Sequence, residues 1–219
     1  MSRVLGLIRG GAAIVLWLAG CQPAQHPPAL PGVAASPPPK FAALPDSLRP
    51  TPVPAVAALP DTLRQAIALL RRDLGSAAAG LRPEVLTQAC VGYLTLRPAG
   101  RIEQAGVLAV ADMDLPNTTE RLWVLDLKQR KVLHRSLVAH GRGSGHLRAQ
   151  RFSNLAKSAC TSLGFYRTSG SYAGLHGYSR RLLGLDKEQN TNAFDRYVVL
   201  HAADYASPAY ARRHGHLGY

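Results

Sequence analysis

The stretch RLWVLDLKQRKVLHRSLVA, residues 121–139, decides how the folded part of this chain is organised. Two apolar runs, residues 121–127 and 132–139, lie on either side of a short polar turn at residues 128–130. Short runs rich in Val and Leu that are separated by a turn predict a β-hairpin. The stretch therefore places β-strands at the centre of the domain.

Two helices are predicted ahead of the hairpin, each from apolar residues at helical spacing. The first begins at Asp61 or Thr62, either of which would cap it, and Gly75 ends it. The second runs from Pro83, a residue suited to a first helical turn, to about Leu96. The apolar positions are Leu63, Ile67, Leu70 and Leu74 in the first helix, and Val85, Leu86, Ala89 and Tyr93 in the second.

Further short apolar runs predict strands at residues 107–111, 163–166, 181–185 and 197–201. Two leading helices followed by many short strands indicate a β-dominated α+β fold. We place this domain at residues 61–219.

The N-terminal residues carry an export pattern. Arg3 and Arg9 precede a short apolar run at residues 14–18, which is too brief to span a bilayer as a stop-transfer helix. The run ends in LAGC, residues 18–21, which resembles the bacterial lipobox, in which the cysteine is lipidated after cleavage. We expect residues 1–20 to be a lipoprotein signal peptide and Cys21 to carry the lipid; the alternative is an ordinary signal peptide that happens to contain a cysteine.

Residues 21–60 are predicted to be a linker. Twelve of the 16 prolines lie between residues 22 and 60, interleaved with Ala and Ser, and such a composition cannot bury a core. The linker would tether the domain to the cell envelope on its periplasmic face, with the outer membrane as the expected membrane.

The chain is strongly basic, with 26 Lys and Arg against 13 Asp and Glu, a formal charge of +13. Such a balance suits an anionic partner. Because the leader predicts export, we expect an acidic wall or membrane surface rather than nucleic acid.

Four polar segments border the predicted strands. They read HGRGSG at residues 140–145, FSN at 152–154, YAGLHG at 172–177 and HAADY at 201–205. The alternate glycines of the first segment permit close backbone approach, but no Gly-Lys-Ser/Thr follows to make it a phosphate-binding loop.

Taken in order, these segments resemble the murein L,D-transpeptidase catalytic domain family. The resemblance extends over about residues 80–219 and also includes RLWVLDL at 121–127, SLGFY at 162–166 and the pattern NxxxR at 192–196. It implies a β-rich domain that transfers acyl groups between peptidoglycan stem peptides through a cysteine thioester, with no cofactor.

The resemblance also implies roles for particular residues. His201 matches the histidine that takes the proton from the nucleophilic thiol and later protonates the leaving amine. The stem-peptide groove is expected at Tyr172, Gly174, His176, Gly177, Ser153 and Asn154, although a turn-stabilising role for Tyr172 and His176 is an open alternative. His140 and Ser144 could border the site or shape the end of a hairpin.

The family carries Ser-x-Gly-Cys about 15–22 residues after this histidine, and residues 202–219 contain no such segment. We expect the 219-residue chain to be truncated before the nucleophile, by a frameshift, an assembly boundary or a real truncation, and to be inactive. The alternative is a non-catalytic, lipid-anchored protein that binds the cell wall.

The remaining cysteines and histidines suggest no other chemistry. Cys90 and Cys160 could pair, but we favour two independent thiols and expect neither to be the nucleophile. His214 and His216 at a spacing of two, without a carboxylate motif, are weak evidence for zinc, and no metal site is predicted.

Overall fold

The computed structural model describes residues 59–102, 106–174, 177–187 and 189–219, together with the backbone of residues 15–19. The predicted lipidation site Cys21, nearly all of the predicted linker and His176 lie outside the described residues. In the described part, no helix is long and apolar enough to cross a membrane.

Both predicted helices are present with the expected ends. Helix α1 is Asp61–Leu74 and helix α2 is Pro83–Leu96, and Gly75 ends α1 with a φ of 55°. The predicted cap of α1 was wrong, because Pro60 occupies the N-cap position and its carbonyl accepts hydrogen bonds from the backbone amides of Leu63 and Arg64. Asp61 lies instead in the first turn, where it pairs with Arg64.

In the described residues, seven strands form one sheet. They are β1 (Val15–Ala19), β2 (Val107–Asp112), β3 (Leu122–Asp126), β4 (Lys131–Ser136), β5 (Gly164–Gly174), β6 (Gly177–Gly184) and β7 (Val199–His201). The order across the sheet is β4-β3-β2-β1-β5-β6-β7. A short helix, α3 (Pro208–His214), follows the last strand and was not predicted. The strand-rich α+β prediction is confirmed.

The hairpin predicted at residues 121–139 is β3–β4, which lies at one end of the sheet and has a register shift between Val124 and Leu125. Its strands are shorter than predicted, because Arg121 is drawn into the interior and the chain leaves the sheet after Ser136. The Asp126 carboxylate accepts hydrogen bonds from the backbone amides of Lys128 and Gln129, which closes the turn.

The second hairpin is longer than predicted. Strand β5 continues through a register shift between Thr168 and Ser171 to Gly174, where Gly174 pairs with Gly177 across the hairpin end. Residues 172–174, which were predicted as part of a glycine-rich segment after a strand, therefore belong to the strand itself.

Each face of the sheet has its own apolar core. Helices α1 and α2 cover one face, where Leu86 and Tyr93 pack with Trp123 and Phe165. Gly92 of α2 lies so close to the Phe165 ring that a Cβ there would overlap it. The other core contains Tyr166 and Leu182 with residues of the following loops, such as Ala193.

Strand β1 joins two three-stranded antiparallel units. It runs parallel to β2 and antiparallel to β5, so that Leu16 lies between Ala109 and Tyr166. These five residues coincide with the apolar run of the predicted leader. The segment that the sequence predicts to be part of a leader thus forms a strand in the structure of the uncleaved chain. Cleavage after Gly20 stays a prediction.

We expect Leu16→Pro to destabilise the unprocessed chain, because proline cannot donate to the ladder of an interior strand. Each lost hydrogen bond costs about 1 kcal/mol, and about 1 kcal/mol lowers the melting temperature by about 2–4 °C in a chain of this size. Thermal unfolding of the two proteins measures the difference.

The matched control is Ala34→Pro, which adds a proline to the proline-rich segment. It should leave the melting temperature unchanged. Equal melting temperatures for Leu16→Pro and Ala34→Pro would show that β1 does not contribute to the sheet.

Candidate active site

Three neighbouring strands bring two of the predicted site residues into one row. Tyr172 on β5 lies opposite Ser179 on β6, and Ser179 lies opposite His201 on β7. Directly opposite residues of antiparallel strands share a face, and neighbouring strands are about 4.8 Å apart. Tyr172 and His201 therefore lie on the same face, with the buried Ser179 between them.

His201 is the last residue of β7, an edge strand of the described sheet. Its Nδ1 lies 2.9 Å from the Ala202 carbonyl oxygen, and its Nε2 lies 3.5 Å from the Tyr205 hydroxyl. A carbonyl only accepts, so Nδ1 carries a proton, and in the neutral form of the ring the lone pair is on Nε2. Nε2 is thus the ring nitrogen that can act as a base.

Tyr205 is a site residue that the sequence analysis missed. Its ring meets the His201 ring edge-on, at an interplanar angle of 78° and a centroid distance of 6.4 Å. Burial raises the pKa of Tyr205, so the hydroxyl keeps its proton at neutral pH. The HxxxY spacing of residues 201–205 was the available signal, since the turn at Asp204–Ala206 folds Tyr205 back towards β7.

Ser153 and Asn154 form hydrogen bonds that connect the 152–162 loop to the segment before β7. Asn154 Oδ1 accepts from the backbone amide of Asn192 at 3.1 Å, and Asn192 Nδ2 donates to the Asn154 carbonyl at 3.0 Å. The Ser153 carbonyl accepts from Arg196 at 2.7 Å. These bonds fasten the 152–162 loop to the segment that leads into β7, and a direct role of either residue in substrate binding stays a prediction.

Arg196 holds the same loop at several points. Besides Ser153, it donates to the hydroxyl oxygens of Ser162 and Ser158 and to the carbonyl of Cys160, at distances of 2.5–3.1 Å. The NxxxR pattern at residues 192–196 therefore has a structural role, because Asn192 and Arg196 both form hydrogen bonds with the 152–162 loop.

The glycine-rich segment at residues 140–145 packs against that loop. A Cβ at Gly141 would overlap the Ala159 carbonyl oxygen, and one at Gly143 would overlap the Ser158 carbonyl oxygen. The expected close backbone approach is confirmed, and its partner is the neighbouring loop.

His140 and Ser144 both lie in the interior. Arg121 is fully buried and donates to His140 Nδ1 at 2.8 Å and to the carbonyls of Val138, Met113 and Leu115. His140 Nε2 then donates to the Gly145 carbonyl at 3.2 Å. Burial, and next the Arg121 charge, lower the pKa of His140, so it is a neutral residue that shapes the loop.

Neither described cysteine resembles an activated nucleophile. Both are free thiols, which agrees with the favoured expectation. Burial in α2 raises the pKa of Cys90 to about 12, which disfavours its thiolate. Cys160 is partly exposed, and its Sγ lies 3.5 Å from the Ser158 carbonyl oxygen.

Residues 77–219 match the family described as the L,D-transpeptidase catalytic domain. The chain belongs to this family. The match covers well over half of the chain and includes His201 and the three strands that carry the candidate site. No match to the chain was found among curated proteins or among solved structures.

Membership of the L,D-transpeptidase family confirms the resemblance inferred from the sequence motifs. It supports a peptidoglycan transpeptidase-like function and peptidoglycan stem peptides as the class of substrate. The described residues contain no group of three or more His, Cys, Asp or Glu side chains that could hold a metal ion.

We expect His140 to make the L,D-transpeptidase domain sensitive to mild acid. Its pKa is lowered in the folded state, so below about pH 6.5 the unfolded chain binds a proton that the folded chain does not, and stability falls as pH falls. In His140→Gln, whose amide can still accept from Arg121 and donate to Gly145, the loss of melting temperature between pH 7 and pH 5.5 should be smaller.

The control is His214→Gln at an exposed position, which should keep the acid sensitivity of the parent. Part of that sensitivity should persist in His140→Gln as well, because burial also lowers the pKa of His134. Identical pH profiles for His140→Gln and the parent would contradict the assignment.

Proposed function

We propose that this protein is an envelope-anchored member of the L,D-transpeptidase family whose site is built for cysteine acyl transfer on peptidoglycan stem peptides. The observation that carries the proposal is His201, which lies at the end of an edge strand within the family-matched domain, with Nε2 as its basic nitrogen. Tyr172 lies on the same sheet face two strands away, where we expect it to border the stem-peptide groove.

His201 performs the proton transfers of this reaction. It takes the thiol proton through Nε2, and the thiolate attacks the carbonyl carbon of the bond that links an L-centre to D-alanine. When the C–N bond breaks, the imidazolium returns its proton to the departing D-alanine amine, and the acyl group remains as a thioester. An amine of a second stem peptide, or water, then attacks the thioester carbonyl, and His201 takes a proton from this nucleophile and returns it to the departing sulfur.

The 219 residues do not supply a suitable thiol. They contain no Ser-x-Gly-Cys, Cys90 has a raised pKa, and Cys160 belongs to the loop that Arg196 clasps. We therefore propose that the 219-residue chain does not itself transfer acyl groups. In this form it would bind stem peptides without cleaving them.

Activity is tested with a carbapenem-type acylating agent and intact mass spectrometry. The 219-residue chain should gain no covalent adduct, because burial disfavours the Cys90 thiolate and Cys160 lies in the loop that Arg196 holds. A chain extended after Tyr219 by a Ser-x-Gly-Cys segment should become acylated, and His201→Ala in that extended chain should lower the acylation rate by at least 100-fold, the range of general-base effects.

The melting temperature of the His201→Ala variant should remain close to that of its parent, because the side chain is only half-buried at a strand end. Acylation that persists in this variant would remove His201 from the base role. An adduct on Cys90 or Cys160 of the 219-residue chain would refute its inactivity.

The envelope location is proposed from the LAGC pattern at residues 18–21 and the proline-rich segment that follows. Cys21→Ala should abolish membrane attachment, since it removes the lipidated side chain. Membrane fractionation of cells that produce each form measures this, and the neighbouring substitution Gln22→Ala is the control. Equal detergent-dependent fractionation of Cys21→Ala and the parent would exclude a lipid anchor at Cys21.

A further inference from the structure

His201 is held on both sides of its ring. Nδ1 donates to the Ala202 carbonyl, while the Tyr205 hydroxyl lies 3.5 Å from Nε2, at the outer limit of a hydrogen bond. The two rings also lie edge-on, with a centroid distance of 6.4 Å and an interplanar angle of 78°. Tyr205 is therefore placed to set both the orientation of the imidazole and the surroundings of its basic nitrogen.

Tyr205 is in turn held by the segment that follows helix α3. The Gly218 amide donates to the Tyr205 carbonyl at 3.1 Å, and a Cβ added at Gly218 would lie only 2.6 Å from Tyr205 Cβ. Only glycine permits this approach, because real Cβ atoms do not come so close to another carbon. Gly218 is therefore packed directly against the backbone and Cβ of Tyr205.

The Gly218 segment is itself anchored in the interior. Leu217 is fully buried, and its amide donates to Asn117 Oδ1 at 3.2 Å. Asn117 is also fully buried, and its Nδ2 donates to the His146 carbonyl at 2.9 Å. Gly218 is thus fixed relative to the domain, and it transmits that fixed position to Tyr205.

We propose that Tyr205 is a positioning residue for His201, and that Gly218 sets the position of Tyr205 by direct backbone packing. This inference rests on the proposed function, in which His201 is the base. Gly218, 17 residues beyond the base, would thereby influence the orientation of the His201 ring relative to the thiol.

Nitrogen-15 NMR of the histidine side chains tests the proposal directly in the 219-residue chain, because it reports the protonation and hydrogen bonding of each ring nitrogen without any catalysis. His201→Gln identifies the His201 signals among the eight histidines. In the parent, Nδ1 should be protonated and Nε2 should be unprotonated. Tyr205→Phe, which keeps the ring and removes the hydroxyl, should shift the Nε2 signal and leave Nδ1 nearly unchanged.

Gly218→Ala tests the second contact. The added Cβ should displace Tyr205 and shift the His201 signals, although residue 218 has no bond to His201. The matched control is Gly170→Ala in β5, where a Cβ would meet nothing within 4 Å and φ is not positive. It should leave the His201 signals at their parental positions.

Unchanged His201 signals in Tyr205→Phe would overturn the proposal, whether or not Gly218→Ala folds. A His201 shift in Gly218→Ala without one in Tyr205→Phe would also overturn it, because the coupling would not pass through the hydroxyl. These NMR outcomes are separate from the acylation test: loss of the base assignment would leave the Nε2 signal still dependent on Tyr205.

Discussion

The sheet depends on the pairing of both β2 and β5 with a strand that is remote in sequence. These two strands do not pair with each other, and β1 supplies hydrogen bonds to both. Helix α2 spans the same junction from one face, because its apolar side packs on Val110 of β2 and Phe165 of β5. The two three-stranded units are therefore joined twice, once by backbone hydrogen bonds and once by side-chain packing. Only the first link uses the residues of the predicted leader.

The second unit, β5–β6–β7, is positioned by buried polar groups as much as by apolar ones. Asn190 is fully buried, donates to the carbonyls of Leu163 and Phe165, and accepts from the Asp186 amide. These bonds fold residues 184–198 back onto β5, and Gly184 lies so close to Asn190 that no side chain would fit there. Since this segment leads directly into β7, the hydrogen-bonded, buried side-chain amide of Asn190 helps to determine the position of His201.

The sequence predicted what periodicity and local chemistry encode. The ends of α1 and α2 follow from the spacing of their leucines and from Gly75 and Pro83, and the position of His201 at a strand end follows from the apolar run before it. Strand β1 could not be predicted, because five apolar residues after two arginines have the same pattern in a leader as in a buried strand. Long-range pairing decides between them.

The site residues were harder to predict because their roles depend on partners that lie far away in sequence. Arg121 has the pattern of a strand residue and becomes a buried donor because three carbonyls from two separate segments converge on it. The Asn154 side chain accepts a hydrogen bond from the backbone amide of Asn192, 38 positions away. Tyr205 carries a visible HxxxY spacing, but the contacts that give it a role, with His201 and with Gly218, are visible only in the fold.

Charge distribution connects the fold to its surroundings. Several carboxylates are used internally: Asp112 is fully buried and pairs with Arg82, while Asp126 and Asp186 accept hydrogen bonds from backbone amides. The exposed cationic side chains include Arg97, Arg142, Arg148, Arg151, Lys157, Arg212 and Arg213. The interior takes Arg121 and Arg180 from the surface as well as Asp112, and the exposed side chains remain predominantly cationic. Long-range attraction to an anionic polymer is thereby strengthened at low ionic strength and screened within about 8–10 Å at physiological salt. Under the proposed function, such attraction would act on the whole polymer, and the selection of a stem peptide would depend on short-range contacts around Tyr172 and His201.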